Sequence, residues 1–91
     1  MDAQAGAGLE VEFTSKAERN LRKIPEPMRQ RVYEFSCSLG EDPYPRGLEK
    51  LVDRGLSYRV RFGKYRVVWS IDESKGLVSI VNIDKRPRVY G

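Results

Sequence analysis

Basic side chains alternate with apolar ones between residues 58 and 69. Arg59 and Arg61 lie two residues apart, and Arg66 follows a Gly-Lys pair of the kind that forms a two-residue hairpin turn. Side chains two residues apart on a strand point to the same face of a sheet, and a hairpin sets its two strands side by side. We therefore expect Arg59, Arg61 and Arg66 on one face of a sheet, directed away from the apolar core.

This arginine cluster indicates a polyanionic partner. Like charges on neighbouring strands weaken a sheet. A sheet that carries several of them therefore indicates that the charges bind a partner. Guanidinium groups suit phosphate because the planar fork donates two parallel hydrogen bonds and never loses its charge. The alternative is that the arginines point into solvent and pair with acids such as Glu10 and Glu12. Spacing alone leaves both interpretations open.

The charge distribution favours the same end of the chain. Residues 58–91 hold eight basic and three acidic side chains, a net charge of +5, whereas residues 1–57 hold nine and ten. A basic excess of this kind is typical of proteins that meet phosphate-rich or acidic partners. Tyr90 lies beside the last basic residues, outside any apolar stripe, so a functional and a structural role are both open for it.

The absence of certain residues excludes several chemistries. The chain has no His, which rules out triads and dyads that depend on imidazole. Its one Cys, Cys37, cannot form an internal disulfide, and we interpret it as a small buried helix residue. We predict no metal and no cofactor. The longest strictly apolar run is three residues and no signal-peptide pattern opens the chain, so we expect a cytoplasmic protein without a membrane partner.

The N-terminal third predicts a strand and a helix. Residues 1–8 are small and polar, and we expect a flexible leader ahead of a single domain over residues 9–91. Residues 9–13 alternate strictly, as in a strand with one apolar face. Ser15 and Glu18 have the spacing of a capping box. The helix that follows has an apolar stripe at Ala17, Leu21 and Ile24, and Pro25 ends it.

A second helix and a group of strands complete the predicted fold. Pro27 suits the first turn of the helix, and Gly40 suits its C-terminal stop. Its apolar stripe is Met28, Val32, Phe35 and Leu39. Residues 41–55 form a loop with a short strand or turn near 48–52, and strands follow at 58–62, 65–71 and 77–84. The last strand has apolar residues on both parities, so its pattern does not orient it. The order predicts an α+β fold: an N-terminal strand, an antiparallel helix hairpin, then a three- to four-stranded antiparallel meander, with the helices packed on one face of the sheet.

The segment from Tyr58 to Trp69 resembles the RelE/ParE toxin superfamily. So do Ile83-Asp84-Lys85-Arg86 with Tyr90, the helix segment that ends at Pro25, and the loop around Pro43. The resemblance covers about residues 9–90. It implies a toxin of a type II toxin–antitoxin system, with a cognate antitoxin protein as partner. RelE-like members enter the ribosomal A site and cut mRNA, whereas ParE-like members share the fold and act on DNA gyrase.

The resemblance also implies a set of site residues. Its catalytic positions correspond here to Arg59, Arg61, Arg66, Arg86 and Tyr90, and we assign the nearby Lys64, Lys85 and Arg88 to RNA binding. All five catalytic positions hold a suitable side chain, which favours a ribosome-dependent endoribonuclease. The alternatives are a ParE-like gyrase poison and a non-catalytic RNA- or partner-binding module. Because arginine stays protonated, Tyr90 and Lys85 are the best candidates for the base, with ribosomal RNA or substrate positioning as the alternative source of part of the catalysis.

Overall fold

One mixed sheet and two helices make up residues 8–51 and 57–85, the part of the chain that the computed structural model describes. In chain order the elements are β1 (Glu10–Phe13), α1 (Ser15–Arg22), α2 (Met28–Ser38), β2 (Glu49–Leu51), β3 (Ser57–Phe62), β4 (Tyr65–Asp72) and β5 (Leu77–Lys85). The strands lie in the order β1-β5-β4-β3-β2. Strands β2 to β5 form the predicted antiparallel meander, and β1 joins this meander by pairing parallel to β5. Both helices pack on one face of this sheet, which confirms the predicted α+β fold.

The core lies between the helices and one face of the sheet. Trp69 is fully buried at its centre and packs against Phe35 of α2 and Tyr58 of β3. Its indole Nε1 donates a hydrogen bond of 3.1 Å to the carbonyl oxygen of Pro43, so the loop after α2 is tied to the sheet. Tyr58 and Trp69 thus lie in the core, whereas Tyr65 is only half-buried.

The start of α1 differs by one residue from the prediction. Thr14, not Ser15, is the N-cap: its Oγ1 accepts from the amide of Ala17 at 3.1 Å and donates to the carbonyl of Val81 at 3.2 Å. The amide of Thr14 also makes the last bond of β1, to Ile80. Thr14 is thus still extended, as an N-cap must be, and Ser15 is already helical.

One prediction at the end of α2 needs correction. Cys37 is exposed, because the buried positions on this side of the helix are Val32, Ser36 and Leu39, and Cys37 points away from them. The helix ends at Ser38 with Leu39 as its C-cap, so Gly40 follows the helix as predicted, and a glycine is needed there for a second reason. The backbone of β1 passes so close that a Cβ there would lie 2.5 Å from the carbonyl oxygen of Leu9.

Several predicted features fall outside the described residues. These are the leader except Gly8, and the C-terminal Arg86, Arg88 and Tyr90. Neither helix between residues 8 and 51 has the length and apolarity that spanning a membrane requires.

Candidate functional site

Three arginines lie on the sheet surface that faces away from the helices, which we call the arginine face. Arg61 of β3 is the direct cross-strand partner of Arg66 of β4. Arg59 lies two residues before Arg61 and therefore on the same side. The intervening Tyr58 and Val60 are buried on the helix side. The pleat thus brings Arg59, Arg61 and Arg66 together, as the alternation of the sequence predicts.

Carboxylates of the protein itself hold two of these arginines. Glu49 of β2 accepts from Nε and Nη2 of Arg59 at 3.0 and 2.7 Å, both through Oε1. Asp84 of β5 accepts from Nε of Arg66 through Oδ1 at 3.0 Å and from Nη2 through Oδ2 at 3.2 Å. The pairing alternative is therefore realised in part, although with other acids than those expected. Glu12, for example, accepts from the hydroxyl of Ser79.

Arg61 differs from its two neighbours. It is exposed, and no acidic side chain of residues 8–51 or 57–85 forms an ion pair with it. It also faces the positive charge of Arg66 directly across the strand pair. Among the described residues, the arginine face therefore presents one guanidinium without an ion pair beside two that are internally paired, an arrangement suited to a phosphate group.

A β-bulge in β5 brings Asp84 to this face. Val68 pairs with Asn82 but the next residue, Trp69, pairs with Ile80, so Val81 is the extra residue. Upstream of the bulge Ile80 points to the core. Downstream the parity is reversed, Ile83 points to the core, and Asp84 is set opposite Arg66. The bulge explains why the apolar residues of this strand fall on both parities.

The remaining predicted residues divide into two groups. Lys64 is exposed in the two-residue turn between β3 and β4, at the end of the arginine face. Lys85 pairs with Tyr65, a residue on the helix side, so it does not join the arginine face. Arg86, Arg88 and Tyr90 lie outside the described residues, and their assignments remain predictions.

Lys85 instead borders a cleft between α1 and the ends of β4 and β5. The cleft has a volume of about 320 Å³. Its lining combines apolar side chains with two lysines and two polar groups: Asn20, Lys23, Ile24, Tyr65, Ile83, Asp84 and Lys85. Asp84 thus lies where the cleft and the arginine face meet.

The sequence reasoning missed the acids of the site. Glu49 lies in a loop-like segment, and its pairing with Arg59 depends on β2 joining the sheet edge. Asp84 belongs to the segment Ile83-Asp84-Lys85-Arg86 noted in the sequence, but the sheet face on which it lies could not be assigned without knowledge of the bulge. No cluster of three or more potential metal-binding side chains occurs in the part of the chain that the structure covers.

This chain, with its α+β fold and basic sheet face, is similar to toxins of type II toxin–antitoxin systems. Residues 11–90 match the family model described as the ParE toxin of the type II toxin–antitoxin system parDE. Toxin RelG of Mycobacterium tuberculosis is 31% identical over 81 residues, which are 88% of this chain and 93% of the relative. Toxin RelE of the same organism is 32% identical, over 88% of this chain and 84% of the relative. The chain therefore belongs to the ParE toxin family of type II toxin–antitoxin systems.

Solved structures show the same fold. The toxin–antitoxin complex RelBE2 of M. tuberculosis matches with a TM-score of 0.75 and 31% identity, over 87% of this chain and 92% of that chain. The archaeal RelE–RelB complex of Pyrococcus horikoshii matches with a TM-score of 0.79 and 28% identity, over 90% and 99%. The fold of this protein is thus that of the RelE toxins.

Proposed function

We propose that this protein is a ribosome-dependent endoribonuclease that cuts mRNA in the A site and so inhibits translation. The observation that carries the proposal is the direct cross-strand pairing of Arg61 with Arg66 on an exposed sheet face, with Arg59 beside them. The names of its relatives support it, since they are RelE and RelG toxins.

The chemistry uses the nucleophile that RNA already contains. A 2′-hydroxyl attacks the adjacent phosphorus, the bond to the 5′-oxygen breaks, and a 2′,3′-cyclic phosphate and a 5′-hydroxyl result. The protein must remove the hydroxyl proton, stabilise the charge on the phosphorane, and give a proton to the leaving oxygen.

We assign charge stabilisation to the arginine face. Arg61 has its guanidinium open to solvent and would bind a non-bridging phosphate oxygen. Arg66 would bind another oxygen of this phosphate through Nη1, the nitrogen that makes no hydrogen bond to Asp84. Arg59 would position the neighbouring phosphate. Donors aimed at developing charge are often the largest single catalytic contribution.

We assign the proton transfers to the C-terminal residues because they correspond to catalytic positions of the family that the sequence resembles. Arg86 would stabilise the leaving oxygen, and Tyr90 would exchange the proton or stack on a base. Lys85 is the second candidate for the base, but Tyr90 is preferred because Lys85 borders the cleft beside α1 and not the arginine face. Neither Arg59 nor Arg61 can fill that role, because guanidinium groups stay protonated.

A cognate antitoxin is the expected partner. The similar structures from M. tuberculosis and P. horikoshii are toxin–antitoxin complexes. We propose that this chain is likewise silenced by a small protein that covers the arginine face. If a small reading frame adjoins this gene, its co-expression should restore growth, and a frame that gives neither protection nor a co-purifying complex would contradict this.

The test of the nuclease is cleavage of mRNA on purified ribosomes. The protein, made in a cell-free system, is added to ribosomes programmed with a defined message, and the new RNA ends are mapped. We expect cuts within the A-site codon, none without ribosomes, and a loss of about 100- to 1,000-fold in rate for Arg66→Ala. The control is Arg31→Ala, the same charge change at an exposed position of α2. Absence of cutting by the wild-type protein would contradict the proposal.

A gyrase poison is the second candidate. The matched family model carries the name of the ParE toxin, and two arginines of the face are already paired with internal carboxylates. Inhibition of supercoiling by purified gyrase, without any cutting of ribosome-bound RNA, would select it. Salt-sensitive RNA binding with neither activity would select the non-catalytic module.

A further inference from the structure

A chain of side-chain hydrogen bonds runs from helix α1 across β5 to Arg66. The amide Nδ2 of Asn20 donates to Oδ1 of Asn82 at 3.1 Å. Nδ2 of Asn82 donates to Oδ2 of Asp84 at 3.1 Å, and Asp84 accepts both bonds from Arg66. All four side chains are partly buried, so the chain is shielded more than a surface network.

This chain restrains the guanidinium of Arg66. Two parallel bonds from Nε and Nη2 fix the plane of the group, and within the described residues Nη1 is left without a hydrogen bond. Arg59 is held less firmly, because both of its bonds go to one oxygen of Glu49, whose side chain is 61% exposed. The corresponding exposure of Asp84 is 33%.

The carboxylate also offsets a repulsion. Arg61 and Arg66 are direct cross-strand partners, and like charges placed opposite each other destabilise a strand pair. Asp84 lies on the other side of Arg66 and supplies the compensating charge. It thereby lets two guanidinium groups stay adjacent while both have donors to offer.

We propose that Asp84, supported by Asn82 and Asn20, is the positioning residue that holds Arg66 in its working orientation. The inference rests on the proposed nuclease function. Asp84 acts through Arg66 and does not itself bind the phosphate. Its negative charge opposes RNA binding, so its removal should have opposite effects on binding and on turnover.

The test is single-turnover and steady-state cleavage by Asp84→Asn on ribosomes carrying a defined message. The amide keeps the shape but loses the charge and one acceptor oxygen. We expect kcat to fall about tenfold because Arg66 is less well oriented. We expect KM to fall, because the net charge rises by one and phosphate binding tightens. A residue needed only for folding would not produce this divergence.

Two further variants separate positioning from general charge. Glu41→Gln makes the same charge change at an exposed position after α2 and should leave kcat unchanged. In the Arg66→Ala background Asp84→Asn should cause no additional loss, because its only route to the reaction is gone. An additive loss in the double variant would overturn the inference.

Folding is checked by circular dichroism of each variant. If Asp84→Asn does not fold, Asn82→Ala carries the test, since it removes the hydrogen bond to Asp84, and the one from Asn20, but keeps the carboxylate. We expect a kcat of about one third of the wild-type value for it, because Asp84 loses one supporting hydrogen bond. Wild-type protein that never cuts overturns the nuclease function and this inference together. Cutting by the wild type that Asp84→Asn equals, or Asn82→Ala where Asp84→Asn does not fold, overturns the inference alone.

Discussion

The two faces of β3 and β4 are made from alternate residues of the same two segments, yet they do different work. On the helix side Val67 and Trp69 have no exposed surface and are packed on all sides. On the opposite side lie Arg59, Arg61 and Arg66, of which Arg61 is exposed and the other two are half-buried. The pleat therefore separates core residues from those of the proposed RNA-binding face, and substitutions at neighbouring positions should have different effects.

The largest effect is expected from Trp69→Ala on the helix side. It removes the biggest fully buried side chain and the bond to Pro43, and should lower the free energy of unfolding by about 3–5 kcal/mol. Urea denaturation followed by far-UV circular dichroism measures it. The matched change on the arginine face, Arg61→Ala, should stay within about 0.5 kcal/mol. Similar losses for both would break the comparison.

A single added methyl group should also distinguish the faces. Gly40→Ala places a Cβ 2.5 Å from the carbonyl oxygen of Leu9 and 3.0 Å from Cγ2 of Val11. Relief of that contact requires backbone movement, so we expect a loss of about 1–3 kcal/mol in unfolding free energy. Ser70→Thr adds one methyl group to the open face and should change stability by less than about 0.5 kcal/mol. A tolerated Gly40→Ala would show that β1 can move away from the end of α2.

The salt dependence of RNA affinity should come from the arginine face and not from the helix side. If Arg61 binds a phosphate, Arg61→Ala should reduce the slope of log affinity for RNA against log salt concentration by about 1. Titration of labelled single-stranded RNA at several salt concentrations measures this. Arg31→Ala, on the outer surface of α2, should leave the slope unchanged. Equal slopes for all three proteins would remove Arg61 from the interface.

The smallest effect concerns alkaline pH and the loop on the helix side. The hydroxyl of Tyr44 donates to Glu73 at 2.9 Å, and this bond to a carboxylate raises the pKa of Tyr44 to about 12 from about 10. A raised pKa in the folded state stabilises the protein below pH 10, and this contribution is lost as the pH rises from about 10 to about 12. Unfolding free energy should fall less steeply over that window in Tyr44→Phe than in the wild type. Parallel curves would mean that the bond is absent in solution.

Local patterns were sufficient to predict most of the fold. Strict alternation around the Gly63–Lys64 turn fixed both β3 and β4, and the helix stripes placed Ala17 and Val32 in the core, as the structure confirms. The α1 cap was missed by one residue because Thr14 serves both β1 and the helix. Sequence spacing cannot show such a double role.

Long-range features set the limit of the prediction. The bulge at Val81 reverses the parity of β5. Apolar residues on both parities reflect it, but that pattern does not distinguish a bulge from a strand buried on both faces. The partners of Arg59 and Arg66, Glu49 and Asp84, come from strands on either side of the hairpin, and a strand order is needed to find them. The position of the arginines on one face could be predicted, but the identity of the carboxylates that pair with them could not.

The parallel pairing of β1 with β5 has a consequence for biosynthesis. Among the described strands, β5 is the sole neighbour of β1, and Glu10 pairs with Leu77. A nascent chain that ends at residue 76 contains β1 without the strand it pairs with, and α1 without the strand it packs on. Asp84 emerges later still. The nascent polypeptide therefore cannot close its sheet or assemble its charged surface before β5 has been synthesised.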